Sequence, residues 1–106
     1  MIIVNTDFIP GKKIVKCLGI VRGNTIRARH IGKDILAFVK NVVGGEIEEY
    51  TKMMGESREQ ALDRMVEQAR QLGADAVINV RFATSEMMQS AAELLAYGTA
   101  VKIEDE

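Results

Sequence analysis

The chain has no tryptophan, one proline, one cysteine and one histidine in 106 residues. Each scarcity excludes something. The single Cys17 rules out an intramolecular disulfide and fits a reducing compartment. No Cys-x-x-Cys or His-x-x-x-His pair exists, whereas a closed zinc site needs about four donors. Neither sign of charge dominates: 14 basic residues face 15 acidic ones, for a net charge of −1. That leaves no basic field for nucleic acid and no polybasic membrane anchor. No apolar run approaches the roughly 18–20 residues of a spanning helix. The start, Met-Ile-Ile-Val-Asn, lacks the cationic segment of a signal peptide. These absences together predict a cytoplasmic protein with no membrane and no nucleic-acid partner.

What is present is aliphatic. Hydrophobic residues make up 47% of the chain, with only three Phe and two Tyr among them. The length allows one domain, 1–106, whose core is built from Ile, Val, Leu, Met and Ala and hides about 60–70% of the unfolded surface. Ile2 to Val4 reads as a short strand, followed by the turn signals Asn5-Thr6-Asp7 and Pro10-Gly11. Lys13 to Arg29 reads as a long strand or ribbon. Its alternation slips near Leu18-Gly19: Val15 and Cys17 share one face, while Ile20 falls on the face of Lys16. Gly19 and Gly23 are the residues to absorb that slip.

Asp34 is a helix N-cap candidate, and Ile35 to Val43 a short helix ended by Gly44-Gly45. A longer helix follows. Ile47, Tyr50, Met54, Ala61, Met65, Ala69 and Leu72 recur at helical spacing, with Glu48, Glu49, Lys52, Glu56, Glu59, Asp63, Glu67 and Arg70 opposite. It runs unbroken from about residue 47, or breaks at Gly55 and restarts with Ser57 and Gln60 as a capping box. Gly73 ends it. Ala74 to Ala83 alternates, with Ala76, Ile78, Val80 and Phe82 on one face and Asn79 and Arg81 on the other. Ser85 to Ser90 reads as a connection, and Ala91 to Ile103 as a last strand apolar on both faces.

Strands, then helices, then two strands predict an α+β two-layer unit of antiparallel sheet and one long helix. One helix covers one face of a sheet. Strands apolar on both faces therefore call for a second cover, and another copy of the chain is the simplest one.

The mid-chain Val42-Val43-Gly44-Gly45, the turn Leu72-Gly73-Ala74-Asp75-Ala76-Val77 and Gly98-Thr99-Ala100-Val101 resemble the YbjQ-like family. Gly19, Val21, Gly23, Ile26, Asp34, Tyr50, Arg58 and Ala69 fit the same ordered series, which spans the whole chain. The resemblance implies a dodecin-like β-α-β-β unit and closed homopentamers with helices outside and strands inside. The family carries a heavy-metal-binding label and has no established function. This chain departs from its pattern at Glu46, where relatives usually place Arg. It departs again at Arg81, Phe82, Ala83, Thr84 and Ser85, which stand where relatives carry an acidic cluster.

The label makes Cys17 and His30 the candidate metal ligands, on a site completed by several copies; otherwise Cys17 is a small hydrophobe on a strand. A Cys17–His30 nucleophile–base pair is the weaker alternative use of the same residues. Gly44 and Gly45 precede a possible helix N-terminus and are candidate ligand-binding residues, but no Gly-x-x-x-x-Gly-Lys-Ser/Thr pattern accompanies them. Arg58 falls on the apolar stripe, where it either snorkels to solvent or pairs with Asp34 or Asp75 within or between subunits. Asp75 is otherwise a turn residue.

The reading is a cytoplasmic homo-oligomeric binding or scaffold protein, a pentamer by the resemblance. It has no catalytic centre of its own, and a cleft between subunits is available to a small ligand. The alternative is a metal-binding protein whose ligands are shared between subunits. An enzyme ranks third, and no cofactor is assigned.

Overall fold

The long apolar segments become three long strands and one long helix. The computed structural model describes residues 1–28, 48–88 and 91–106. The elements are β1 (Ile2–Ile3), β2 (Lys12–Ala28), α1 (Glu48–Gln71), β3 (Ala76–Met88) and β4 (Ala91–Asp105). They form a four-stranded sheet in the order β1-β3-β4-β2. The pairs β2–β4 and β3–β4 are antiparallel. The sheet is nonetheless mixed rather than purely antiparallel, because β1 runs parallel to β3. A strand of fifteen residues is about 50 Å long, and the molecule measures 56 × 25 × 16 Å. Its length is therefore the length of β4 and its neighbours.

The helix is continuous through Gly55, and Ser57 is no cap: it lies inside α1, 1% exposed. The buried stripe is Ser57, Ala61, Met65 and Ala69, successive i+4 steps along one line. The sequence reading placed Ala61, Met65 and Ala69 on this line correctly, but put Arg58 on it where the structure has Ser57. Small residues on the line let the helix lie close to the sheet. A Cβ at Gly23 would collide with the Ala61 carbonyl oxygen and the Met65 nitrogen, and would lie 2.7 Å from Arg64 Cβ. At the far end Gly73 takes φ +79°. Its N–H donates to the Arg70 carbonyl at 2.9 Å and that of Ala74 to the Ala69 carbonyl at 3.1 Å. That is a Schellman stop, and it turns the chain directly into β3.

Opposed residues on antiparallel strands share a face, so the register separates the two sides of the sheet. Toward α1 point Val21, Val77, Val80, Ala96 and Ala100, which form the main core with Ala61, Met65 and Ala69. Away from it point Ala76, Ile78 and Val101, covered by Ile9 with Val4 and Ile103 alongside. The alternation read for β3 is therefore corrected: Ile78 and Val80 lie on opposite faces. Asn79 and Val80 together oppose Gly98, a bulge in which Asn79 adopts φ 55°. Asparagine tolerates that conformation better than most side chains. The bulge moves Val80 and Phe82 to the helix side and returns Arg81 to the side of Ile78.

Strand β2 carries two register shifts, between Ile14 and Lys16 and between Cys17 and Gly19. The second sits where the phase slip was expected, at Leu18-Gly19, and it keeps Cys17 and Ile20 on one face. Gly23, the other candidate for the slip, serves instead as the close contact with the helix.

Candidate functional site

Among the described residues, only Ile9 and Val4 cover the side of the sheet away from α1. Its cross-strand rows can be read from the register. Ile20, Thr99 and Ile78 form one, Arg22, Tyr97 and Arg81 the next, then Asn24, Leu95 and Ala83, then Ile26, Glu93 and Ser85. Ile20 is 77% exposed, Ile26 56% and Tyr97 38%. In water such side chains forgo about 25 cal/mol for each Å² that burial would remove.

Charge on this surface is sparse. Arg81 is held in place, its guanidinium donating to the Asn5 carbonyl at 2.7 Å and to the Val80 carbonyl at 3.0 Å. Glu93 accepts a hydrogen bond from the Asn24 amide at 3.1 Å. The Arg22 side chain and the Tyr97 hydroxyl have no hydrogen-bond partner among the described residues. At the outer edge of β3, reaching toward α1, opens a groove of about 650 Å³ lined by the 3–6 segment, Leu62, Val80, Arg81 and Phe82, with Arg81 the only charge among its described lining residues.

The two long edges of the sheet differ. On β2 the helix supplies edge partners: the Gln68 side-chain oxygen accepts from the Arg22 N–H at 2.7 Å, and Arg64 donates to the Asn24 carbonyl at 2.5 Å. On β3 the outer edge is bonded to the N-terminal segment through Asn79 and Val80. Among the described residues no strand lies beside β3 past that point.

Of the sequence-derived site residues, Cys17, Arg58 and Asp75 are described, and they lie apart from one another. Cys17 is exposed on β2, level with Val101. His30, Asp34, Gly44 and Gly45 lie outside the described residues, as does the short helix read over 35–43. Asp75 ties the start of β3 to β4: its carboxylate accepts from the Ile103 N–H at 3.0 Å. It follows the C-terminus of α1, about 20 Å along the axis from Arg58, which excludes an Arg58–Asp75 pair within one chain. Arg58 itself is exposed, in a shallow depression of the helix surface with Lys52, Glu56, Glu59 and Asp63.

Cys17 and Asp75 are separated by β4, about 10 Å, and no three potential metal ligands come together among the described residues. The described donor set does not fit a metal site within one chain. The row containing Arg22, Tyr97 and Arg81 escaped the sequence reading because the bulge at Asn79 decides which way Arg81 faces. The unusual run Arg81 to Ser85 was the only signal. Among the described residues no helix is long and apolar enough to cross a membrane.

Known proteins of the same design agree with this architecture. A protein of unknown function from Pediococcus pentosaceus, assigned to the DUF74 family, superposes with a TM-score of 0.64 at 18% identity over 98% of both chains. That likeness concerns the fold. The UPF0145 protein of Methanosarcina acetivorans is 62% identical over 97% of each chain. That of Archaeoglobus fulgidus is 59% identical over 97% of this chain and 95% of its own. Residues 1–104 match the family YbjQ_1, described as "Putative heavy-metal-binding". The chain therefore belongs to the YbjQ-like family.

Proposed function

We propose that this chain is a homo-oligomeric binding scaffold of the cytoplasm, without a catalytic centre of its own. One observation carries the reading: a long sheet has its helix on one face, and the other face exposes Ile20 and Ile26. Soluble monomers seldom leave so much contiguous apolar surface in water. Past Val80 the outer edge of β3 has no neighbour among the described residues and adds a second invitation, since an open edge recruits another strand. Copies joined through these surfaces close into a ring, and the family resemblance supplies the number five. The lone exposed Cys17 supports a reducing compartment.

Size exclusion with light scattering tests the reading directly. The expected mass is about five times the 11.7 kDa chain at micromolar concentration. A stable folded monomer overturns it.

Exposed Cys17 favours a second reading, in which the ring gathers thiols from several copies around a metal. Zinc titration by calorimetry separates the two. Saturable submicromolar binding abolished by Cys17→Ser supports the shared metal site. An unchanged melting curve with strong chelator and no saturable heat supports the scaffold.

A further inference from the structure

We propose that the open edge of β3 pairs antiparallel with the same edge of a second copy, about a two-fold axis at Thr84. The inference rests on the reading of the chain as a self-assembling scaffold. It gives the edge a part of its own: a two-fold contact pairs chains, and between rings it joins one ring to another.

The sheet has two long outer edges, and only that of β3 is free at its centre. Neighbouring residues of a strand turn their backbone groups to opposite edges, and opposed antiparallel residues both turn toward each other or both away. On β2 the outward residues are Arg22 and Asn24, whose N–H and carbonyl are taken by Gln68 and Arg64 of α1. Arg22 opposes Tyr97, and Tyr97 opposes Arg81. Arg81 therefore turns its backbone inward to β4, while Phe82, Thr84 and Glu86 turn theirs outward. Among the described residues no strand receives them.

The free run has defined ends. At its start the N-terminal segment bonds Asn79 and Val80, and the Arg81 guanidinium occupies the Val80 carbonyl. At its end the β3–β4 register shifts between Glu86 and Met88. The regular stretch is 82–86, and its middle is Thr84. Self-pairing there opposes Thr84 with Thr84 and Phe82 with Glu86. Each copy's Glu86 then stands one position from the other copy's Arg81, whereas a parallel strand would set like charges level. Phe82, 45% exposed, borders the groove with Leu62 and Val80, which a strand laid along the edge covers. Natural edges are guarded by proline or lysine, and the stretch Phe-Ala-Thr-Ser-Glu has neither.

The test is disulfide trapping in the full chain carrying Cys17→Ser. Thr84→Cys sets two thiols across the axis at a hydrogen-bonded pair, where Cα atoms lie about 5.5 Å apart, within disulfide reach. Under mild oxidation at micromolar protein, covalent dimers should form about tenfold faster or more than with Glu59→Cys, on the exposed side of α1. Thr84→Pro removes an outward N–H without touching the β4 ladder. Light scattering at rising concentration should then lose the doubling of mass expected of wild type.

Trapping no faster than at Glu59 overturns the proposal. So does Thr84→Cys trapping faster with Ile20→Cys on the β2 edge than with itself, which is head-to-tail addition. If Thr84→Pro fails to fold by circular dichroism, the trapping rates still decide. A two-chain mass with rapid trapping at Thr84 removes the ring and keeps this contact, and a five-chain mass without trapping does the reverse.

Discussion

The two faces of one sheet obey opposite rules. Toward α1, small residues dominate the contact, and Gly23 admits the helix backbone so closely that no side chain fits between. Away from α1, bulky Ile20 and Ile26 stand in solvent, and arginines occupy the rows beside them. The same strands supply both faces, so composition alone cannot separate them. Packing decides: one face is organised around α1, while on the other, among the described residues, only Ile9 and Val4 give cover.

The largest expected effect tests the covered face. Gly23→Val drives a branched side chain into the Ala61 carbonyl and the α1 backbone. Neither can yield as a flexible side chain would, so the loss should be about 3 kcal/mol or more, or folding should fail outright. Urea denaturation followed by circular dichroism reads it. A loss below about 1 kcal/mol would mean that the helix does not sit on β2 as described.

Next is Met65→Ala. Met65 is fully buried at the centre of the same contact, and truncation should cost about 2–5 kcal/mol through lost burial and the cavity left behind. The same truncation on the bare face, Ile20→Ala, should shift chain stability by no more than about 0.5 kcal/mol if that face stays in water. In an assembly that buries Ile20, the loss grows and the melting temperature becomes concentration-dependent. The Met65-to-Ile20 contrast thus measures how much of the bare face is covered in solution.

Arg58→Ala comes lower. An exposed arginine among mixed charges should change stability by about 0.5 kcal/mol or less. A loss of about 3–5 kcal/mol would instead place Arg58 in a buried pair across a subunit boundary.

The smallest effect lies at the end of the sheet. There the Lys12 ammonium, by hydrogen bond and by charge, holds the Asp105 carboxyl below its usual 3.8. A carboxyl lowered by folding contributes above its unfolded value, and the contribution fades as pH falls through the folded one. Asp105→Asn should therefore narrow the gap to wild type only below about pH 4. Thermal melts across the acid range check this. A gap unchanged down to strong acid would remove the pair from any role.

The long strands, the helix and its stop at Gly73 were legible in the sequence because each rests on local chemistry: β-branched runs, helical spacing, and a glycine able to take a positive φ. The phase slip at Leu18-Gly19 was legible for the same reason, since alternation breaks visibly there. What escaped was set between elements. The buried line through Ser57 differs from one through Arg58 by a single helical position, and only contact with Thr25, Gly23 and Val21 selects it. The bulge at Asn79 gives no signal in a run that alternates cleanly from Ala74 to Ala83. Yet it sends Ile78 to one face and Val80 to the other, and sets Arg81 beside Tyr97.

By itself, then, the sequence determined the long strands and the long helix, where that helix ends, and that more apolar surface exists than one helix can cover, though it read 85–90 as a connection where β3 runs on to Met88. Those properties depend on neighbours a few positions away. Tertiary structure alone decided which face each β3 residue meets, which residues line the helix contact, and which side chains share a row. Cross-strand register depends on residues up to 93 positions apart, as Lys12 opposite Asp105 shows, and no local pattern encodes it.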